Sequence, residues 1–239
     1  MPPRTKRYVV LWDENNPNVA LIGVKDRSNP YTGQQDSGYG AGYPAVPGGN
    51  AEGMESPQQT LAREIKEELL DRYELTSLQA DVVTNTYRNT TYETYTGTGR
   101  ENPNPQPDLN DPAYRENITA GAVDVTQLGL PADATQYQIL TGLAEHVGSE
   151  TKPWRLEPAQ QQQFQMYTAA DNYPLQEFAS QVQQRLQAQQ QQGNMLAQVA
   201  AMGAPGMTGA PNPNVTQNAA APQQPGNQHQ QQNNAGQGL

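Results

Sequence analysis

Cysteine is absent from this 239-residue chain, which excludes disulfides, thiolate nucleophiles and cysteine-ligated zinc. Charge is absent from its C-terminal end. All 24 acidic and all 14 basic side chains lie at or before Arg185, and only His229 can ionise beyond it. Positive charge is scarce everywhere: the net charge of −10 repels phosphate backbones and anionic lipid, so neither a nucleic acid polymer nor a membrane is an expected partner. Long hydrophobic runs are also missing. The apolar run in "MPPRTKRYVVLW" is too short for a signal peptide and no stretch approaches a membrane span, so the expectation is a soluble, cytoplasmic protein.

What is present divides the chain in two. From Gln187 to Leu239 the text is rich in Gln, Asn, Gly and Pro and poor in aromatic and β-branched residues. Such a segment buries too little apolar surface to offset the entropy of ordering, and 187–239 is expected to be a disordered tail. Its Gln/Asn content leaves a homo-oligomer open. The body, 5–186, is ample for one core. "RYVVLW" and "NVALIGVKD" are β-branched runs joined by the turn-rich "DENNP" and predict a hairpin. The glycine- and tyrosine-rich stretch 27–43 reads as a long, functional loop. Ser56 can cap, and Pro57 open, a helix running to about Tyr73, with Leu61, Ile65 and Leu69 on one face. Strands are expected over 77–97 and, with a turn, over 118–130, with a proline-rich loop between them. Helices are expected over 132–146 and from Pro174 through the glutamines to Gln192, and within the tail Asn194–Met202 is the part expected to order, as a brief extension of that last helix. The sum is a mixed α/β domain.

The stretch "GGNAEGMESPQQTLAREIKEEL", Gly48 to Leu69, gathers five glutamates and one arginine. Helical spacing puts Glu64, Glu67 and Glu68 on one side, where they repel one another. A solvated helix face with Arg63 paired to Glu67 would account for "REIKEEL" alone. A glycine-rich loop entering a helix, however, lets backbone approach a ligand closely. Clustered carboxylates bind hard divalent cations such as Mg2+ and join them to phosphates.

Gly49, five residues, Glu55, seven residues, then Arg63-Glu64-Ile65-Lys66-Glu67-Glu68 resembles the signature of the Nudix hydrolases, G-x5-E-x7-R-E-U-x-E-E-x-G-U with U aliphatic. The resemblance implies an α/β/α sandwich with a mixed β-sheet. It also implies a pyrophosphohydrolase dependent on Mg2+ or Mn2+, which hydrolyses a small nucleoside diphosphate linked to another moiety by attack of water on phosphorus. Carried over, Glu64, Glu67 and Glu68 are metal ligands, one of which can serve as general base. The Gly48 carbonyl is a further ligand, and Glu55 pairs with Arg63 to orient the loop; Glu52 matches a weaker habit of the family. The family's terminal glycine and aliphatic residue are replaced by Leu70 and Asp71, so the helix either runs on through "DRY" or ends with strain.

Other candidates are His146 as a base, one further carboxylate among Glu93, Asp108, Asp111 and Glu116, and Tyr31, Tyr39 and Tyr43 as stacking groups. Lys25, Arg27 and Arg88 are candidate phosphate contacts. Two rivals use the same residues differently: a non-catalytic nucleotide- or protein-binding module on this fold, and an assembly protein acting through its tail.

Overall fold

Along "YVVLW" successive side chains point to opposite faces of a strand, yet Val9, Val10, Leu11 and Trp12 are all buried. A strand that is apolar on both faces must lie in the middle of a layered structure. The computed structural model describes residues 4–25, 44–115, 117–151 and 172–202. Its strands are β1 (Arg4–Asp13), β2 (Val19–Lys25), β3 (Pro44–Ala45), β4 (Gly48–Asn50), β5 (Tyr73–Tyr87), β6 (Thr90–Glu101) and β7 (Asn117–Asp124). Its helices are α1 (Pro57–Glu68), α2 (Gln136–Thr151) and α3 (Tyr173–Met202), with 3-10 turns at Pro112–Arg115 and Val125–Gln127.

One seven-stranded sheet runs β3-β2-β1-β6-β5, with β4 also on β1 and β7 also on β2. It is mixed: β1 is parallel to β6 and antiparallel to β2 and β4. The hairpin expected from "RYVVLW" and "NVALIGVKD" is there, but its only register pair is Trp12↔Ala20. Most of β1 pairs instead with β6 and β4, and most of β2 with β7.

Each face has its own core. Val9 and Leu11 point with Leu21 and Ala120 to α1, where Leu61, Ile65 and Leu69 meet them. Val10 and Trp12 point the other way, to Ile139, Leu140 and Leu143 of α2 and Leu175, Phe178, Val182 and Leu186 of α3. Each such side chain contributes about 1.5–3 kcal/mol by leaving water. Trp12 Nε1 donates to Gln181 Oε1 at 3.0 Å, so the largest core side chain satisfies its one polar atom. The fold is therefore the expected α/β/α sandwich.

Two boundaries differ from expectation. Helix α1 stops at Glu68, not Tyr73: Leu70 and Asp71 stand at φ 56° and 57°. The Asp71 N–H reaches the Lys66 carbonyl at 2.7 Å and the Leu70 N–H that of Glu67 at 3.3 Å, the two reverse bonds of a Schellman turn. Leu70 occupies the left-handed place where glycine is usual, at about 1–2 kcal/mol for a residue with a Cβ. The helix thus ends with strain. At the other end, residues 187–202 continue α3 without a break, so the tail drawn from Gln187 begins as helix and the extension expected over Asn194–Met202 is joined to it. Extending an existing helix needs no new nucleus, and glutamine propagates one well. Among the described residues Leu186 is the last that is buried. The rest of the expected tail, 203–239, and the loop 27–43 lie outside the described residues.

Candidate active site

Helix α1 begins with a capping box: the Gln59 N–H donates to Ser56 Oγ and the Ser56 N–H to Gln59 Oε1 at 2.9 Å, with Pro57 in the first turn. This entry fixes which side chains of α1 face inward. Leu61 and Ile65 enter the core, and Glu64 and Glu68, one turn apart, lie beside them at 8% and 6% exposure. They are not on a solvent-facing side of the helix, as the sequence suggested. The reason is β4, which closes over them.

Glycine is required there for space. The Gly48 N–H donates to Glu68 Oε2 at 2.9 Å. A Cβ on Gly48 would lie 2.2 Å from the Arg7 carbonyl oxygen, and one on Gly49 2.4 Å from Glu64 Oε1. The backbone of β4 therefore runs in contact with two carboxylates; at Gly48 a side chain would collide with the backbone of β1, whereas at Gly49 it would displace the end of Glu64. From the far end of α1, Asn117 of β7 donates through Nδ2 to the Glu68 carbonyl at 2.6 Å.

Arg63 collects the remaining charge. Its Nε donates to Glu55 Oε1 at 3.1 Å, one terminal nitrogen to Glu67 Oε2 at 2.9 Å, and the other to the Asn50 carbonyl at 2.9 Å and Glu55 Oε2 at 3.3 Å. Glu64 Oε1 is 3.1 Å from the same guanidinium, and Glu52 is at 3.9 Å. Both pairings foreseen for Arg63, with Glu67 and with Glu55, are thus present at once. Arg7, from β1, adds a brace: it donates to the Glu55 carbonyl at 3.2 Å and Thr60 Oγ1 at 3.1 Å, and pairs with Glu93 at 3.2 Å.

The charges respond to these neighbours. The Arg63 hydrogen bond and a backbone N–H from Glu52 hold the Glu55 carboxyl below the usual glutamate range. Burial pushes Glu67 upward, against the pull of Arg63 and with help from Glu52 and Asp111. Burial works against the Arg63 cation, but the hydrogen bond to Glu55 and the charges of Glu64 and Glu67 outweigh it and raise its pKa.

These groups line a cavity of about 630 Å³, within the range of small-molecule sites. It opens where the 44–50 segment crosses from β2 to β1, beneath the start of α3. Five carboxylates (Glu52, Glu64, Glu67, Glu68 and Asp111) face two cations, Arg63 and Lys6. Among the described residues no group of three or more His, Asp or Glu side chains is arranged to hold a metal ion. The repulsion within the glutamate cluster is relieved here by Arg63 and the Gly48 N–H.

Other predicted residues scatter. Asp111 lines the cavity, Asp108 caps the Asn110 N–H at 3.0 Å, and Glu93 is held by Arg7. Arg88 lies in the β5–β6 turn over its neighbour Tyr87, 5.1 Å from the ring centroid. His146 is exposed on α2 and away from the cavity. Glu116, Arg27, Tyr31, Tyr39 and Tyr43, and the Lys25 side chain, are outside the described residues. Lys6 and Tyr8, which also line the cavity, were missed. Their signal was the period-2 alternation that makes them the polar continuation of the Val10–Trp12 face.

No helix among the described residues is long and apolar enough to cross a membrane. Comparison with protein-family models and with curated proteins finds no match. Solved structures to which the chain is similar include a MutT protein from Methanosarcina mazei Go1 at 18% sequence identity, covering 63% of this chain and 96% of that one, with a TM-score of 0.37. A MutT NUDIX hydrolase from Burkholderia pseudomallei has 19% identity, 58% and 97% coverage and a TM-score of 0.37. A UDP-X diphosphatase has 18%, 66% and 68%, and 0.36.

Proposed function

We propose that this chain is a divalent-metal-dependent hydrolase acting on a phosphoric anhydride of a nucleoside diphosphate joined to another group. The observation that carries the reading is the convergence of Gly48, Gly49, Arg63, Glu64, Glu67 and Glu68 on one cavity wall, with Glu55 bonded behind it to Arg63. A cluster with a surplus of carboxylates and only oxygen donors suits a hard cation such as Mg2+ or Mn2+. Glu64, Glu67 and Glu68, with the Gly48 carbonyl, are the groups that would hold it, in competition with Arg63. When bound, the ion would supply polarisation of a phosphoryl oxygen and a more acidic water.

The protein's own groups do the rest. Arg63 and Glu55 fix the loop against α1, and the contact of Gly49 with Glu64 excludes water from that side. Lys6 offers a positive charge to a phosphate. Glu67, less buried than Glu64 or Glu68 and raised by burial, is the carboxylate chosen to take a proton from the attacking water.

The test is a phosphate-release screen with Mg2+ over a panel of nucleoside diphosphate derivatives, coupled to a phosphatase, with Glu67→Gln as control. Metal-dependent release lost in the control is expected. A second reading, a binding module without turnover, is favoured by one observation: the carboxylates are already satisfied by Arg63 and Gly48. Ligand-induced thermal shifts without release from any compound would select it.

A further inference from the structure

The Leu70-Asp71 pair that departs from the Nudix pattern is also where α1 meets the proline-rich segment 102–111. Asp71 is a buried carboxylate at 9% exposure. Its Oδ2 accepts the Gln106 N–H at 2.8 Å, and its carbonyl accepts Asn102 Nδ2 at 2.8 Å. The Asn102 N–H reaches the Arg72 carbonyl at 2.8 Å. All three bonds depend on the left-handed turn, because a helix continuing through Asp71 would use that carbonyl itself and carry the carboxylate elsewhere.

The segment has few other means of attachment. Pro103, Pro105 and Pro107 have no N–H, which leaves Asn104 and Gln106 as the donors between Asn102 and Asp108. Asn104 spends its N–H locally on Asn102 Oδ1 at 3.1 Å, so the Gln106 bond to Asp71 is the segment's backbone tie to the exit of α1, and the 3-10 turn Pro112–Arg115 that follows packs on α1 itself. Prolines also narrow the conformations of the residues before them. The residues that follow form a tight turn: the Asp111 N–H donates to the Asp108 carbonyl at 2.9 Å and the Ala113 N–H to Asp111 Oδ1 at 3.0 Å. Asp111 and Ala113 are wall residues of the cavity.

We propose that Asp71 is a positioning residue for the cavity: its carboxylate and carbonyl latch the 102–111 segment to the end of α1 and thereby set Asp111 and Ala113 in the wall. The strained helix exit then has a purpose, since it turns the Asp71 carboxylate toward Gln106. Relevance to catalysis rests on the hydrolase reading; the latch itself does not.

The experiment compares full-length Asp71→Ala, Asp71→Asn and Asn102→Ala with the parent by amide hydrogen exchange and by Mn2+ binding followed by electron paramagnetic resonance. Asp71→Ala removes the acceptor, whereas asparagine keeps an oxygen for Gln106. Asn102→Ala cuts the latch from the loop side should Asp71→Ala fold poorly. Asp71→Ala and Asn102→Ala should each speed exchange at Gln106 and Asp111–Tyr114 by at least about tenfold, with amides of α1 over 61–68 unchanged. Mn2+ affinity should fall several-fold in both, and Asp71→Asn should stay near the parent in both measurements. Unchanged exchange in folded Asp71→Ala and Asn102→Ala overturns the latch. Faster exchange with unaltered Mn2+ affinity reduces Asp71 to a structural role and overturns its link to the cavity. Absence of Mn2+ binding by the parent counts against the hydrolase reading, and exchange alone then decides the latch.

Discussion

Replacing Arg63 by alanine removes one guanidinium and leaves Glu64 and Glu67 facing each other across its place. At 22% side-chain exposure Arg63 is neither a surface partner, for which about 0–1 kcal/mol is usual, nor a fully buried one, whose loss costs about 3–5 kcal/mol. Its bonds to Glu67 and the Asn50 carbonyl are both 2.9 Å, short enough for strong charge-assisted geometry. An intermediate loss of about 2–3 kcal/mol follows, with a drop in Tm of about 5–10 °C for a domain of this size. Lysine should not rescue it, because a single ammonium cannot span three carboxylates and a carbonyl in one plane. The assay is urea unfolding of the parent, Arg63→Ala and Arg63→Lys in EDTA, repeated with Mg2+. If the carboxylates accept an ion, Mg2+ should restore more stability to Arg63→Ala than it adds to the parent, since the competing cation is gone. Equal midpoints for the parent and Arg63→Ala in EDTA would refute the view that Arg63 relieves the repulsion. Full rescue by lysine would refute the role of its fork.

Glu67→Gln should abolish turnover while leaving Tm at pH 7 without metal level or higher. The sign follows from its raised pKa: ionising Glu67 disfavours the folded state as pH rises from the ordinary value of 4.5 through its folded value. The gain over the parent should therefore vanish below about pH 4.5 in a pH series of melts. Gly48→Ala should cost more than about 3 kcal/mol, since its Cβ would meet backbone, and chemical denaturation will read the loss. Gly49→Ala meets only the movable end of Glu64, so a nearly parental melt with weakened metal binding is expected, and an unfolded protein would contradict this. Truncation after Gln187 removes the end of α3, exposed over 188–200, and whatever follows. The main thermal transition and any metal-dependent activity should persist, and loss of either would place part of the function beyond Gln187.

The parts of this structure that were legible in the sequence are those governed by local rules. The cap at Ser56, the Leu61–Ile65–Leu69 stripe and the Arg63–Glu67 pair follow from local helical spacing, while the Arg63–Glu55 pair was implied by the Nudix resemblance. The β-branched run of β1 announced a strand, and the α/β/α layering was implied by the Nudix resemblance. Tertiary choices were not legible. Nothing in "RYVVLW" says that its main partners are β4 and β6 and not the β2 strand that follows it. The burial of Glu64 and Glu68 depends on where β4 passes. The helix end depends on Asp71 finding Asn102 and Gln106, more than 30 residues away, which compensates a left-handed leucine that propensity alone disfavours. The boundary at Gln187 was drawn from composition, which measures whether a segment can build its own core, not whether it can extend a helix already begun.

The parallel pairing of β1 with β6, Arg4–Asp13 against Thr90–Gly99, sets an order of events during synthesis. The β5–β6 hairpin closes through Arg88 and Asn89 alone and can form within microseconds once both strands are free. Strand β1 is made first and must wait for a neighbour more than 80 residues later, which makes this the slow, high-contact-order step. Arg7 cannot meet Glu93 before then. A nascent chain ending at Tyr87 would contain every residue of the glutamate motif and still expose an edge of β1 able to join another chain. The Arg7 brace behind the cluster thus gains its Glu93 partner only after the glutamate motif has been finished for some time, and Asp111 reaches the cavity wall later still.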